Sequence, residues 1–356
     1  MTNDATALTR GIAAPEEQWL ARARRFHERL TKPTGSLGQL EYIGTRLCAI
    51  QRRVPPVMEN PAVVVFASDH GVTAAEKVAP YPREVTGQMV ANFVRGGAAI
   101  NVLAHLVGAS LNVVDVGVAH PVAVDSSGNG LRIRRIARGT NNIAQGPAMT
   151  RAHLHEAISV GSGLAEELAA SGVSAVALGE MGIGNTTVAS ALTAALLRCP
   201  IAHITGRGTG ADDAMLASKI AVIERALAVN QPSLDDPLDV LQKLGGYEIA
   251  GLCGVCLGAA RNHMAIVADG FISTVAVTLA IRLHAGVGGY VFAGHVSPEP
   301  GHRLLLQELR LAPLLDLGMR LGEGTGATLA LGLLRAAADI MQKMATFEHA
   351  GVDNRK

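Results

Sequence analysis

The chain has 356 residues, with 31 Lys plus Arg against 30 Asp plus Glu and a formal net charge of +1. That balance supplies no basic field for nucleic acid and no polybasic patch for a membrane surface, and the length suits one large part and one smaller part. Four cysteines, with Cys48 and Cys199 isolated, make no disulfide framework, and the start MTNDATALTRGIAAPEEQW lacks the basic opening and apolar core of a signal peptide. Small-molecule partners and a cytoplasmic location are therefore expected. Mean hydropathy is +0.27, but the longest apolar stretches, such as 187–197 and 271–281, are short and carry Ser and Thr, which marks core elements rather than membrane spans.

In chain order, PEEQWLARARRFHERL (15–30) opens on Pro and acid and spaces Trp19, Leu20, Ala23 and Leu30 as a helix does. The loop TKPTGSLG leads to a second helix, for which Ser36 and Gln39 have capping-box spacing, and RRVPP (52–56) ends the pair. The texture then changes. PAVVVFASDHG, SLNVVDVGV, VSAVALGEMG, MAIVADGF and GYVFAGHVS are short apolar runs ending in glycine and polar residues, the signature of buried parallel strands. Between them lie amphipathic stretches at 87–107, 187–197, 215–229 and 273–283. The order is βαβα, the fold class α/β with a parallel sheet, and ligands are expected at the carboxyl ends of the strands. The tail from Ala327 to Phe347 reads as one Ala/Leu-rich helix returning to the N-terminal pair.

Two hexapeptides differ at one position: GRGTGA (206–211) and GEGTGA (322–327), with Arg207 in the first and Glu323 in the second. GRGTGA follows IAHIT and precedes a helix with Lys219 two turns in, so loop N–H groups, a guanidinium and an ammonium suit a phosphomonoester. A plain tight turn accounts for the glycines equally well. LGEMGIGNTT (178–187) also leaves a strand for a helix, with Asn185 and Thr186 available as caps, and repeats the order Leu-Gly-Glu. Glu180 and Glu323 in one cleft would permit acid–base work, whereas simple helix capping is the plainer account of each. Neither loop is a P-loop, and GIGNTT lacks the third glycine of a dinucleotide fingerprint. Cys253 and Cys256 in GLCGVCLG have CxxC spacing but read as packing within a buried helix, and HLHE (153–156) reads as a solvated helix face. His70 and His295 lie at strand ends, and the twelve histidines contain no metal-ligand pattern.

Taken together, KPTGSLGQLE (32–41), FASDHGV (66–72), GEMGIGNTT (179–187) and LGEGTGA (321–327) closely resemble the nicotinate-nucleotide:dimethylbenzimidazole phosphoribosyltransferases. The motifs stand in family order over about residues 15–347, with a looser match around Tyr81–Val85. The resemblance implies a Rossmann-like domain (57–327), a small helical domain from both chain ends (1–56 and 328–356) and a homodimer, and the lack of a ligand cluster, with a leaving group that carries its own charge, leads to the expectation of no cofactor or metal. It further implies transfer of 5-phosphoribosyl from nicotinate mononucleotide to 5,6-dimethylbenzimidazole, giving α-ribazole 5′-phosphate and nicotinate in cobalamin synthesis.

By that resemblance Glu323 is the general base and Glu180 its neighbour beside the substrates. Lys219 and the loop residues Gly208, Thr209 and Gly210 hold the phosphate, Gly182 and Ser297 border the nicotinate end, and Gln88, Met181 and Leu321 line the benzimidazole slot. Arg207 joins the phosphate group on charge alone. Nicotinate departs from a pyridinium and needs no general acid, whereas the acceptor must lose a ring proton, so one carboxylate suffices. The competing readings are a nucleotide-dependent oxidoreductase, which the missing fingerprint disfavours, and a catalytically silent nucleotide-binding protein, which the retention of Glu323 disfavours.

Overall fold

Seven strands form one sheet: β1 Ala62–Ser68, β2 Ser110–Gly117, β3 Leu131–Ile133, β4 Ala175–Met181, β5 Ala265–Ala268, β6 Val291–His295 and β7 Pro313–Leu315. The computed structural model describes residues 3–120, 122, 130–208 and 210–353. Strand order is β3-β2-β1-β4-β5-β6-β7, and every neighbouring pair is parallel. The five apolar runs supply β1, β2, β4, β5 and β6. All seven residues of β1 are buried, as befits a central strand with both faces covered. The order reverses between β1 and β4, and the crevice outside their carboxyl ends is where such a sheet takes ligands.

Glycines set how closely the covering helices approach. A Cβ at Gly251 would lie 2.4 Å from the Phe66 ring of β1, and one at Gly161 would lie 1.9 Å from the Gly251 carbonyl. The helices Arg151–Ala170 and Tyr247–Arg261 therefore cross in backbone contact. Cys253 and Cys256 sit in that contact as free, buried thiols, and burial pushes Cys253 up to about 12 and Cys256 well above the usual thiol value. Packing is thus what the CxxC segment does.

Several local expectations are replaced. Residues 87–107 form two helices, Val85–Arg95 and Ala99–Val107, because Gly96 adopts a left-handed φ of 80°. That stretch has the length and apolar character of a membrane span, but the break leaves no continuous helix across it. IAHIT contributes the short helix Ile201–Ile204. The helix Gln39–Gln51 is capped by Gly38 without a side-chain bond; instead Glu41 accepts the N–H groups of Gly35 and Leu37 and pairs with Lys32 at 2.7 Å. The HLHE face is engaged, not merely solvated: His153 Nδ1 lies 3.0 Å from Tyr247 Oη and His155 Nε2 lies 3.1 Å from Asp4.

The tail helix runs Thr325–Lys343. Its buried face through Ala338 belongs to the main core, and Met341 near its end packs with Ala23 and Cys48 of the N-terminal helices. A bridge pairs Leu30 with Thr346, and the Phe347 N–H donates to the Arg29 carbonyl at 2.9 Å.

Candidate active site

Four strand ends converge. β4 ends with Glu180 and Met181, β1 runs into Asp69 and His70, β5 into Asp269, and β6 ends at His295 with Ser297 just beyond. Glu180, Asp269, His70, His295, Ser297 and Glu323 are all buried. Glu323 reaches the cluster from a turn in which Gly322, Glu323 and Gly324 have φ of 88°, 62° and 83°. Left-handed backbone is unfavourable for a residue with a Cβ, so surrounding contacts must hold Glu323 there.

Those contacts come from the other Leu-Gly-Glu segment. A Cβ at Gly179 would lie 2.4 Å from the Glu323 carbonyl oxygen, and one at Gly322 would lie 2.5 Å from Glu180 Oε1. The two carboxylate loops thus touch, and only glycine fits at the seam. Asn185, considered as a helix cap, instead gives its amide hydrogen bond to Glu180 Oε2, while Gly184 is the N-cap of the helix Asn185–Leu197.

Electrostatics separates the two acids. Burial raises Glu180 to about 8, helped by the charges of Asp269, Glu248 and Glu323 and opposed by Asn185. Glu323 is also raised, chiefly by burial and then by Asp269, with the Ile100 N–H opposing. Its Oε2 is buried without a hydrogen-bond partner. At neutral pH Glu180 is therefore largely protonated, and Glu323, whose proton affinity burial also raises, keeps one oxygen without a hydrogen-bond partner. Next to them His70 Nε2 lies 3.0 Å from Glu248 Oε1, both side chains fully buried.

The GRGTGA loop lies alongside. Lys219 Nζ donates to the Gly206 carbonyl at 2.9 Å and to Thr186 Oγ1 at 3.2 Å, tying this loop to the Glu180 loop. Burial lowers the Lys219 pKa, and the Glu299 charge opposes. Glu299 accepts the Gly208 N–H at 2.9 Å, and its own N–H donates to Ser297 Oγ at 3.3 Å. Gly210 is in left-handed conformation with φ 126°, and Thr209 lies outside the described residues. Arg207 turns away: its guanidinium is exposed, paired with Asp213 and bonded to the Ala211 carbonyl at 2.9 Å. Arg320 reaches the loop instead, donating to the Gly208 carbonyl at 3.4 Å.

At the opposite rim Gln88 is exposed on its helix and Met181 is half-buried, while Leu321 is 52% exposed. The Ile183 N–H donates to Thr86 Oγ1 at 3.1 Å, which fixes the Gln88 helix against the turn holding Gly182. Two cavities, of about 560 and 320 Å³, lie elsewhere, one among the N-terminal helices beside His27 and Tyr42 and one beside β2 and β3 at Arg132 and Arg134. Sequence reasoning passed over Asp269, Glu248, Glu299 and Arg320. Asp269 carried a readable signal, since MAIVADGF ends in an acid at the position where FASDHG does.

A parallel sheet that gathers paired carboxylates and a lysine-tied glycine loop at its carboxyl edge defines a Rossmann-like α/β protein for nucleotide chemistry. A profile described as phosphoribosyltransferase matches residues 12–352. The nicotinate-nucleotide–dimethylbenzimidazole phosphoribosyltransferase of Chloroflexus aggregans is 52% identical over 350 residues, 97% of each chain, and that of Geobacter sulfurreducens is 50% identical over 341 residues, 96% of each. The crystal structure of the Thermus thermophilus enzyme of that name superposes with a TM-score of 0.88 at 45% identity, covering 96% of this chain and 100% of that one. The chain belongs to the nicotinate-nucleotide–dimethylbenzimidazole phosphoribosyltransferase family. The oxidoreductase alternative finds no support in these relatives.

Proposed function

We propose that this chain transfers the 5-phosphoribosyl group of nicotinate mononucleotide to 5,6-dimethylbenzimidazole, giving α-ribazole 5′-phosphate and nicotinate with inversion at the anomeric carbon, in the nucleotide-loop pathway of cobalamin. The observation that carries this reading is the seam between the Glu180 and Glu323 loops, which leaves one buried carboxylate oxygen free beside a neighbour of higher pKa. The acceptor attacks through one ring nitrogen, and Glu323 takes the proton from the other. Glu180, mostly protonated, serves as hydrogen-bond donor and not as a rival base. The leaving pyridinium becomes a neutral ring as its bond to the ribose breaks, so no acid is required there.

Lys219, with Gly208, Thr209 and Gly210, takes the 5′-phosphate. Gly182 and Ser297 border the nicotinate and ribose, and Gln88, Met181 and Leu321 form the benzimidazole side. Because Arg207 is committed to Asp213, Arg320 is the guanidinium we assign to the phosphate loop. The working form is a homodimer without cofactor, with residues 1–56 and 328–356 as a small helical unit and 57–327 carrying the site. Incubating the purified protein with nicotinate mononucleotide and dimethylbenzimidazole tests this directly. Nicotinate should appear only when the acceptor is present; no release, or release independent of the acceptor, contradicts the reading.

A further inference from the structure

A helix that begins two residues after the proposed base Glu323 creates a conflict. The N-terminal end of Thr325–Lys343 carries partial positive charge, which stabilises a nearby anion and so weakens it as a base. Asp269 stands in that position. Its Oδ1 accepts the Ala327 N–H at 2.9 Å and it is 3% exposed; burial raises its pKa, while His295 and the N–H groups of Ala327, Gly326 and Gly324 favour its charged form and oppose that rise. Its own N–H donates to Ser273 Oγ at 2.8 Å. His295 of β6 lies 3.5 Å from the same Oδ1 and wedges against the turn, since a Cβ at Gly326 would fall 2.1 Å from its ring.

We propose that Asp269 is a positioning residue for Glu323: seated on the first N–H groups of the helix, its carboxylate locks the left-handed turn and offsets the helix dipole, so that Glu323 remains a strong base. This inference rests on the proposed transferase reading for its kinetic consequence, though not for its electrostatic one. The titratable groups around the pair are Glu180 from β4, which feels Asp269, Glu323 and also Glu248 of the helix Tyr247–Arg261, and His295 from β6, whereas the bond to the helix end is made by Asp269. The buried charge of Asp269 also acts directly on Glu323 in the same direction.

Asp269→Asn keeps the shape and one acceptor while removing the charge. Because the base works deprotonated, a more acidic Glu323 moves the acidic limb of the kcat–pH profile to lower pH, by about one unit. Plateau kcat should fall roughly three- to tenfold, as a weaker base requires, while KM for dimethylbenzimidazole changes less than about twofold. A purely structural role predicts loss of kcat at every pH with the limb in place, and that result overturns the proposal. Infrared difference spectra of wild type minus Glu323→Gln, titrated with pH, provide a readout without turnover and without the Asp269 variant. Glu323 should titrate above the ordinary carboxylate range; titration at or below that range overturns the proposal even if Asp269→Asn fails to fold. If the wild type releases no nicotinate, the transferase reading fails, and this one is still decided by whether the Glu323 infrared titration moves to lower pH in Asp269→Asn.

Discussion

Gly179 and Glu323 touch backbone to backbone: a Cβ on the first would sit 2.4 Å from the carbonyl oxygen of the second. Neither atom belongs to a flexible side chain, so Gly179→Ala must push the Glu323 turn away from β4. Overpacking of this kind costs about 1–3 kcal/mol, and thermal unfolding should register it. The displacement falls on the proposed base, so kcat should drop far more than KM rises. A variant as stable and as active as wild type would show that the seam tolerates movement.

Glu323→Gln keeps size and one hydrogen bond but cannot accept a proton. Turnover should fall by about 10²- to 10⁴-fold, the usual range for loss of a general base, with binding of both substrates little changed. Glu180→Gln should be milder near pH 7, because Gln resembles the protonated acid that Glu180 already is. Near-normal turnover by Glu323→Gln beside a dead Glu180→Gln would assign the base to the other loop.

Glu180 also sets a pH dependence of stability. Its folded-state pKa, raised from 4.5 to about 8, means that the native state binds a proton the unfolded chain has released. The stabilising contribution is complete below about 4.5, falls as pH rises, and is lost above about 8. Melting temperature should therefore decline across that window in the wild type and decline less in Glu180→Gln. Parallel curves for the two proteins would place the proton elsewhere.

Lys219 and Glu299 are buried on either side of the GRGTGA loop. Lys219→Ala removes a charge-assisted contact worth roughly 1.5–3 kcal/mol, and nicotinate mononucleotide use should suffer much more than dimethylbenzimidazole use. The single change also takes away a positive charge near the buried Glu299, so adding Glu299→Gln should recover part of the lost thermal stability. Equal effects on both substrates would remove Lys219 from the phosphate site.

The sheet was legible because burial on both faces demands continuous Val- and Ala-rich runs, and glycine marks where each run leaves the core. β3 and β7 were not, since strands of three residues at a sheet edge carry too few side chains to show a pattern. The twin Leu-Gly-Glu segments suggested that Glu180 and Glu323 share a site, and their loops do meet. What spacing could not give is competition between neighbours. Arg207 has a carboxylate within reach at Asp213, the first residue of the helix that follows its loop, and Asn185 finds Glu180 before it finds a helix N–H. Asp269 escaped notice because its partners are backbone N–H groups 55 to 58 positions away, which no side-chain motif records.

The helix Thr325–Lys343 has 19 residues and thus spans roughly 28 Å at 1.5 Å per residue. One end begins beside Glu323 and the other packs with Ala23 and Cys48, so it acts as a strut between the proposed base and the place where the chain's two ends are stitched together. A protein cut after Ala327 would keep every strand and every loop glycine of the sheet, yet retain only three residues of that strut. The Glu323 turn would then hang free. The N-terminal helices, which supply none of the clustered carboxylates, thereby help to hold Glu323 in place from the far side of the molecule.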